Sequence, residues 1–490
     1  MQYIKILIFI IIILLVGCLK NDTTYQPNWP SLAKHETPKW FENAVLGIYF
    51  HWGVYSVPAF GCWGGRNMYQ PDGGVSEAWA HIDTSKYKNT YDYVKREYGE
   101  PGIEFGYKDF IPMFKAEKWN PDRWAELFKE AGADFAGPVA VHHDGFCMWD
   151  TKYSKFNSMR MGPHRDVVGE ILEAIRKHGM KTVTTFHYYT NWFFFNPGRK
   201  LCPKGVDVNN PEYSDLYGPV HEFKGMWHEI PFSESFQKSW YNKVKEVIDK
   251  YQPDQLWFEI GFSDQGCIGE KYIKSILAHY FNMAEKWGKE VVVTHKSDDL
   301  PSSCSVLDLE VESLDEPRAK VWQTDIPLGR SWAYSPDAVC RPINDIVDEI
   351  VDRKSKNGIT LLDVAPKADG TLPESQVEGL KKLGAWMKIN KEALYASKPA
   401  PFVEGGVDVA EAGSIRFTMK GDYLYAIDLE KPKIPEIIPG VQPVEGSEIR
   451  MLGSKKKLSW HVEGNNLIIE TLPECLPCDY AWVFKIRYKK

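Results

Sequence analysis

The sequence predicts an α/β protein in which a (β/α)8 TIM-like barrel is followed by a C-terminal antiparallel β-sandwich. Between about residue 40 and residue 390, short continuous apolar runs alternate with amphipathic helical stretches. This alternation is typical of a parallel sheet that helices cover on both faces. About eight such units fit a closed barrel. A doubly wound open sheet would alternate in the same way, but no GxGxxG segment follows the first apolar run.

The apolar runs define the predicted barrel strands. They are Val45–Phe50, Gly137–Val141, Thr182–His187, Gln255–Ile260, Val291–Thr294, Ser305–Leu309, Arg330–Tyr334 and Thr360–Val364. Between the second and third runs, Asp166 is expected to cap a helix that Gly179 ends, because the apolar residues between them share one helical face. A second helix is expected from Ile343 onward, where apolar residues recur at the same spacing.

After about Ser397 the periodicity changes from helical to alternating. Ile415, Phe417 and Met419 alternate with polar residues, which is typical of a strand with one buried face. Further strand-like segments follow, with Gly and Asn between them. We therefore expect a barrel over residues 37–396 and a β-sandwich over residues 397–490.

The N-terminus has the pattern of an export signal. The apolar run Ile6–Val16 is too short for an ordinary membrane-spanning helix, and the small residues before Cys18 resemble a bacterial lipobox. We expect residues 1–18 to be a lipoprotein signal peptide with a lipidated Cys18, and residues 19–36 to be a tether. An ordinary secretory signal cleaved nearby is the alternative. The predicted location is the bacterial cell envelope, periplasmic or at the cell surface, with the lipid in the membrane.

Composition narrows the class of partner. The formal net charge is −7 and no basic stripe stands out, so nothing points to nucleic acid. The chain contains 18 Trp, 25 Tyr and 24 Phe, which suits a large core and also suits stacking on sugar rings. Cys475 and Cys478 form a lone CxxC without a second ligand pair, so a local disulfide or two free thiols is expected there and a zinc site is not.

Polar and aromatic side chains follow the predicted strands at the end where barrel enzymes carry their reactive groups. These residues are His51, Trp52, His142, His143, Asp144, His187, Trp257, Glu259, His295 and Lys296. Burying several imidazoles without a polar ligand would be costly. Because the adjacent His142 and His143 do not easily face one ion together, a sugar pocket is favoured over a metal site. No metal and no organic cofactor is expected.

Distinctive segments accompany these strand ends along essentially the whole chain. They are Gly47–Ala59, Arg66–Tyr69, His142–Asp150, Asn157–Ser158, Gly162–Asp166, His187 with Asn191–Trp192, Trp322–Asp325, Ser331–Trp332 and Pro366–Gly370. Together they resemble the retaining α-L-fucosidases of glycoside hydrolase family 29. The resemblance implies a hydrolase that removes terminal α-L-fucose, or a closely related sugar, from a fucosylated glycan or glycoside.

The resemblance also implies where the two reacting carboxyl groups lie. A retaining glycosidase needs a nucleophile and a general acid/base about 5–5.5 Å apart. The family nucleophile is an Asp at the end of the fourth strand, and Glu259 takes that position here. Asp264, on the loop beyond, is a weaker candidate. Glu310 aligns with a family Glu after the sixth strand and is the acid/base candidate, with Glu312 in reserve, although both could be solvated loop carboxylates.

The resemblance also implies which residues hold the sugar. They are His51, Trp63, His142, His143, His187, Trp257 and Trp332. Cys62-Trp63-Gly64 replaces a family Glu-Trp-Tyr, so one sugar-contacting carboxylate is missing. With Glu in place of Asp at position 259, three readings stay open: retained activity, a different glycoside as substrate, or sugar binding without turnover. The rival classes are a catalytically impaired, surface-anchored glycan-binding protein and a metal-dependent hydrolase.

Overall fold

The computed structural model of the protein describes residues 24–73, 86–221, 232–259, 267–296, 300–336, 339–403 and 406–488. Predictions that concern Cys18, the signal peptide and Asp264 lie outside the described residues. Among the described residues, no helix is both long and apolar enough to cross a membrane.

A closed barrel of eight parallel strands forms the larger part of the chain, as predicted. The first and last strands pair in register, with Leu46 opposite Thr360, which closes the sheet. The strands are β1 Leu46–Phe50, β2 Phe135–Val141, β3 Lys181–Phe186, β4 Gln255–Phe258, β5 Val292–Lys296, β6 Val306–Glu310, β7 Trp322–Pro327 and β8 Gly358–Val364. Every residue of β1, β2, β7 and β8 is buried, because the strands have packed side chains on both faces. A Cβ on Gly137 would lie 1.6 Å from the carbonyl oxygen of Val183, so glycine is required for β2 to approach β3.

The prediction for the seventh strand is wrong. Residues 330–333 form bends between β7 and β8, and the strand is Trp322–Pro327. Gln323, Thr324 and Asp325 make this strand polar, so it does not form an apolar run. These polar side chains are nevertheless buried. The barrel interior supplies their partners, as the bond from Gln323 Nε2 to Asp308 Oδ2 at 2.5 Å shows.

Helices cover the outside of the barrel. The predicted helix after Asp166 runs from Val167 to Lys177, with the Asp166 carboxylate accepting from Gly169 N, and Gly179 follows at φ +72°. The α-helices are Trp29–Leu32, Lys39–Asn43, Gly64–Asn67, Thr90–Glu97, Pro121–Glu130, Val167–Lys177, Asn191–Phe194, Asn196–Leu201, Ser214–Tyr217, Glu234–Tyr251, Glu270–Trp287, Ile343–Ser355 and Glu374–Leu394. Short 3-10 helices are Val54–Ser56, Tyr107–Met113, Tyr188–Thr190, Asp207–Asn209, Pro211–Tyr213 and Ala400–Phe402.

The C-terminal part consists of two antiparallel sheets packed around their own core, as expected for a β-sandwich. The predicted alternation of Ile415, Phe417 and Met419 corresponds to a strand whose three apolar side chains are buried. The strands are β9 Lys398–Pro399, β10 Glu411–Ala412, β11 Ile415–Lys420, β12 Tyr423–Asp428, β13 Glu436–Ile438, β14 Arg450–Met451, β15 Trp460–Glu463, β16 Asn466–Ile469 and β17 Trp482–Arg487. Cys475 and Cys478 are free thiols, which is the second of the two predicted states.

Candidate active site

A small cavity opens at the carboxyl ends of the barrel strands. It contains Glu259, Glu310 and all seven residues predicted to hold a sugar. The lining residues are Tyr49, His51, Cys62, Trp63, His142, His143, His187, Trp257, Glu259, Lys296, Glu310, Asp325 and Trp332. These residues come together because the carboxyl ends of the strands, and the loops that follow them, all lie at the same end of the barrel. Their individual roles stay predictions.

Four imidazoles form one wall of the cavity. The ring of His51 lies 5.3 Å from that of His142 and 5.0 Å from that of His187, and the rings of His142 and His143 are 3.9 Å apart. Each of the four is at most 3% exposed. This packing orients several nitrogen atoms toward one small volume, as recognition of a polyhydroxylated ring requires.

Hydrogen bonds determine the tautomers of two of these rings. His51 Nδ1 lies 2.9 Å from Asp363 Oδ1, and the same oxygen accepts from His51 N at 3.1 Å. His143 Nδ1 lies 3.0 Å from the carbonyl oxygen of His187. Because both oxygens are acceptors, Nδ1 carries the proton in each ring. The Nε2 atoms of His51 and His143 therefore keep a lone pair that can accept from a hydroxyl group.

The imidazoles are neutral at ordinary pH. Burial, the adjacent His143 ring and the Lys296 ammonium lower the pKa of His51 to about 3, and burial lowers the pKa of His143 to about 3. Burial also places the pKa of His142 and of His187 well below the usual value, with the adjacent imidazoles adding to the effect. A neutral imidazole both donates and accepts, which suits sugar hydroxyls better than a fixed cation.

Several buried polar atoms in this cavity have no hydrogen-bond partner among the described residues. They are both ring nitrogens of His142, Nδ1 of His187 and Oε2 of Glu259. An unpaired buried polar atom costs on the order of 1–3 kcal/mol. Their concentration in one cavity indicates a site built for a polar ligand.

Glu259 directly follows β4, and its side chain is 20% exposed. Its Oε2 lies 3.6 Å from His143 Nδ1. Burial raises the pKa of Glu259 well above its ordinary value, and the charges of Glu310 and Asp325 raise it further, while the Lys296 ammonium lowers it. Burial and the two carboxylates therefore favour the protonated form of Glu259, whereas Lys296 favours the ionised form.

Lys296 lies at the end of β5 and connects the carboxyl groups of the site. Its Nζ donates to Asp325 Oδ1 and lies 3.5 Å from both Glu310 Oε2 and Asp308 Oδ1. Burial disfavours its charge, but these three carboxylates outweigh burial and raise the pKa of Lys296 above its ordinary value. The ammonium therefore stays charged beside Glu310, whose side chain is 54% exposed at the rim.

Indole rings form much of the remaining cavity wall. Trp257 packs 4.9 Å from the His187 ring, Trp63 lies 5.1 Å from the His143 ring and Trp332 lies 5.9 Å from the His51 ring. Trp257 is buried, whereas Trp63 and Trp332 are half-buried at the mouth. These faces can cover the apolar side of a sugar ring while the imidazoles contact its hydroxyl groups.

Sequence reasoning did not assign Tyr49 or Asp325 to the site, and it listed Lys296 at a strand end without giving it a role. The Tyr49 hydroxyl donates to Asp325 Oδ2 at 2.8 Å, and Lys296 contacts the other oxygen of the same carboxylate. Tyr49 precedes His51 by two residues and so faces the barrel interior on the same side of β1, a signal that the sequence did contain. Asp325 was not assigned to the site because the seventh strand was predicted at Arg330–Tyr334.

The structure places neither of the two weaker carboxylate candidates among the described residues of the cavity. Glu312 is exposed and does not line the cavity, whereas Asp264 lies outside the described residues. In the part of the chain that the structure describes, no group of three or more His, Cys, Asp and Glu side chains is arranged to hold a metal ion.

Comparison with known proteins agrees with this geometry. The family model for α-L-fucosidases matches residues 13–392, and the model for the α-L-fucosidase C-terminal domain matches residues 410–487. Tissue α-L-fucosidase of Bos taurus is 30% identical over 94% of this chain and 91% of its own length. The crystal structure of Thermotoga maritima α-fucosidase in complex with fucose matches with a TM-score of 0.72 and 29% identity, covering 94% of this chain and 100% of that one. The complex of the same protein with a mechanism-based inhibitor matches with a TM-score of 0.73, again at 29% identity and the same coverage.

Proposed function

Because the chain belongs to the α-L-fucosidase family, we propose that it hydrolyses terminal α-L-fucosides with retention of configuration. The observation that supports this best is the cavity itself, which contains a mostly buried carboxyl group, Glu259, and a rim carboxylate, Glu310, beside four neutral imidazoles. Two carboxyl groups in unlike environments are what a double displacement requires, since one must attack and the other must exchange protons.

The glycone would be held by hydrogen bonds between its hydroxyl groups and the imidazole nitrogens, of which each neutral ring has one donor and one acceptor. His51 and His143 offer Nε2 as acceptors, and His142 offers both ring nitrogens. The buried ring of Trp257 would cover the apolar face of the sugar. Because the ring nitrogens of His142 have no partner among the described residues, contacts with them contribute to binding without breaking bonds within the protein.

The reaction would proceed in two steps. The ionised Glu259 carboxylate attacks the anomeric carbon, while the Glu310 carboxylic acid protonates the departing glycosidic oxygen, so that the aglycone leaves as an alcohol. Glu310, now ionised, takes a proton from water, whose oxygen attacks the anomeric carbon and releases Glu259 and fucose. The exposure of Glu310 at the rim leaves room for the aglycone and then for that water.

Glu259 has one methylene more than the Asp that occupies this position in the family. Its carboxylate extends into the cavity far enough for Oε2 to lie 3.6 Å from His143 Nδ1. A displacement of about 1 Å can cost on the order of 10²-fold in rate. We expect turnover by the natural Glu, at a rate that depends on how the walls accommodate the longer side chain.

The experiment is hydrolysis of an aryl α-L-fucoside by the full chain, by Glu259→Ala and by Glu259→Asp. Proton NMR of the first-formed fucose reports its anomeric configuration. Turnover with first-formed α-fucose, abolished by Glu259→Ala, supports the proposal. First-formed β-fucose would contradict retention. Tight fucose binding without turnover by the natural chain, with activity gained by Glu259→Asp, would instead identify a glycan-binding protein.

We further propose that Cys18 is acylated and attaches the protein to the bacterial cell envelope. The support is the sequence alone: an apolar run, Ile6–Val16, that ends in small residues before Cys18. The mass of the N-terminal peptide of the protein from bacterial membranes tests this. Acyl chains on Cys18 are expected, and a peptide that begins elsewhere or carries no acyl group would contradict it.

A further inference from the structure

One cavity at the amino end of the barrel, opposite the active site, carries a local concentration of positive charge. A cavity of about 890 Å³ there is lined by six cations and three carboxylates. The cations are Lys129, Arg176, Lys181, Lys289, Lys391 and Lys420. This local excess contrasts with the formal net charge of −7 for the whole chain. We refer to these six residues as the basic face.

The position of the basic face follows from the residues around it. Lys181 begins β3, and Lys289 precedes β5 by three residues. Asp134 and Asp254, which also line the cavity, directly precede β2 and β4. All four therefore lie where strands enter the barrel. Since the catalytic residues follow the strands, the two sites are on opposite ends of the molecule.

The carboxylates of this cavity are already engaged within the protein. Asp134 accepts from Val45 N at 2.8 Å and from Lys391 Nζ at 2.6 Å. Asp254 accepts from Thr182 N at 3.0 Å and from Lys181 Nζ at 3.1 Å. The third carboxylate, Glu392, pairs with Lys485, which lies outside the cavity lining.

Three cations of the basic face lack such a neutralising partner. Among the described residues, Lys129, Arg176 and Lys420 form no ion pair with a carboxylate. Arg176 donates to the carbonyl oxygens of Tyr251 and Gln252, and Lys420 donates to that of Tyr395. Carbonyl groups orient these side chains but leave their charge in place. Asp254 and Glu173 act on Arg176, and Glu392 on Lys420, without a direct ion pair, so the cavity lining keeps an excess of positive charge.

The N-terminal segment is held at this same end of the barrel. Tyr25 N donates to Asn282 Oδ1 at 2.9 Å, and Asn282 Nδ2 donates to Tyr25 O at 2.8 Å. His35 stacks on Phe281 at 3.7 Å between ring centroids, and its Nε2 donates to the carbonyl oxygen of Val291, one residue before β5. Tyr25 and His35 line a second cavity that shares Lys289 with the basic face.

This docking shortens the expected tether. Only about seven residues separate Cys18 from the docked Tyr25, and an extended chain spans at most about 3.5 Å per residue, so an acyl group on Cys18 would lie within about 25 Å of Tyr25. The protein could not move far from the bilayer, and the end that carries Tyr25 would be the nearer one.

We propose that the basic face is a docking surface for anionic lipid headgroups of the membrane to which Cys18 attaches the chain. This inference rests on the proposed lipid anchor. The overall negative charge of the protein repels an anionic bilayer, whereas the basic face is attracted to it within about one Debye length, roughly 10 Å at 0.1 M salt. The tether keeps the face close enough for this attraction to act. The catalytic cavity then points away from the bilayer, toward soluble or extended glycans.

Amine labelling of the membrane-reconstituted full chain tests the orientation. The protein is placed in vesicles of phosphatidylcholine alone or with about one-third phosphatidylglycerol, and the labelling rate of each lysine is read by mass spectrometry. Lys129 and Lys289 should be labelled roughly 3–10 times more slowly on the anionic vesicles, and high salt should remove the difference. Lys152, Lys155 and Lys204, which follow β2 and β3 toward the catalytic end, should be labelled equally on both.

A matched pair of charge-reversal variants separates the basic face from charge in general. In K129E/R176E/K420E, Lys289 should lose its protection on anionic vesicles. K152E/K155E/K204E carries the same change in net charge and should keep that protection. Equal labelling of Lys129 on both vesicles, or loss of protection in both variants, would overturn the docking surface.

The mass of the N-terminal peptide, measured on the same samples, reports the anchor independently. An acylated chain without protection contradicts the docking surface alone. A chain without acyl groups contradicts the anchor, and with it the orientation proposed here. Hydrolysis of an aryl α-L-fucoside by these samples reports the catalytic proposal separately from both.

Discussion

The two ends of the barrel differ in how their polar side chains are satisfied. At the amino end, Asp134 accepts from Val45 N, Leu46 N and Lys391, so its lone pairs are used within the protein. At the carboxyl end, both ring nitrogens of His142 and Oε2 of Glu259 have no partner among the described residues. The amino end has the arrangement of a structural network, and the carboxyl end has that of a binding site. Substitutions at the two ends should therefore have separable effects on stability and on activity.

The largest expected effect is on activity, at the carboxyl end. Glu259→Ala removes the proposed nucleophile and should lower kcat/KM for an aryl α-L-fucoside on the order of 10³-fold or more, because no other group would form the glycosyl-enzyme intermediate. Steady-state kinetics measure this. Glu312→Ala removes an exposed carboxylate outside the cavity and should leave kcat/KM within about twofold. Similar losses in the two variants would contradict the assignment.

The next effect is on stability, at the amino end. Asp134→Ala leaves Val45 N and Leu46 N unpaired and Lys391 without its carboxylate. We expect the free energy of unfolding to fall by about 3 kcal/mol, as when one partner of a mostly buried ion pair is removed. Chemical denaturation measures it. Asp134→Asn, which keeps an acceptor oxygen, should cost less. The folded Asp134→Ala protein should retain the natural kcat. A large drop in kcat would contradict the separation of stability at the amino end from activity at the carboxyl end.

For His142 we expect the opposite of Asp134: a loss of activity with little loss of stability. His142→Phe keeps a ring of similar size but removes two nitrogens that make no hydrogen bond within the described protein. Loss of both sugar contacts should lower kcat/KM by about 10–100-fold, since hydrogen bonds between neutral groups contribute about 0.5–1.5 kcal/mol each. The thermal midpoint should change by only a few degrees. A drop in stability like that of Asp134→Ala would mean that His142 has a structural role.

The smallest expected effect is a shift of the pH profile at Lys296. The ammonium lowers the pKa of Glu259, while burial, Glu310 and Asp325 raise it. A nucleophile must be ionised, so the acidic limb of kcat/KM follows this pKa. Lys296→Met removes the favourable charge and should move the acidic limb to higher pH by about one unit.

Lys296→Arg keeps the charge and serves as the control for that shift. It should leave the acidic limb near its natural position, even if its larger head group alters kcat. The measurement is kcat/KM as a function of pH for the natural chain and both variants. An unchanged limb in Lys296→Met, or a shift to lower pH, would contradict the electrostatic role of Lys296.

The sequence allowed the barrel and most of the site to be predicted, because seven of its strands could be recognised as apolar runs and several of these runs end in reactive side chains. His51, His142 and His187 each directly follow such a run. The seventh strand could not be recognised, since Gln323, Thr324 and Asp325 are polar and interrupt the apolar run. The burial of Asp325 is possible because Tyr49 and Lys296 supply hydrogen bonds from other strands, and such partners are visible only in three dimensions.

The contacts that determine the protonation of Glu259 likewise could not be predicted from the sequence. Glu259 could be placed at the end of the fourth strand from the family pattern. That Lys296 connects Asp325, Asp308 and Glu310 beside it depends on the register of four neighbouring strands. A shift of one residue in any of them would turn the side chain to the other face of the sheet.

Covalent trapping tests most directly that Glu259 is the nucleophile of a retaining α-L-fucosidase. The full chain would be incubated with 2-deoxy-2-fluoro-α-L-fucosyl fluoride, digested and sequenced by mass spectrometry. Attack by the carboxylate expels fluoride and leaves a fucosyl ester that the 2-fluoro group makes slow to hydrolyse. We predict an adduct of one 2-fluorofucosyl group on Glu259, absent in Glu259→Ala. An adduct on another residue such as Asp264, or turnover of an aryl fucoside by a chain that never forms the adduct, would contradict the assignment.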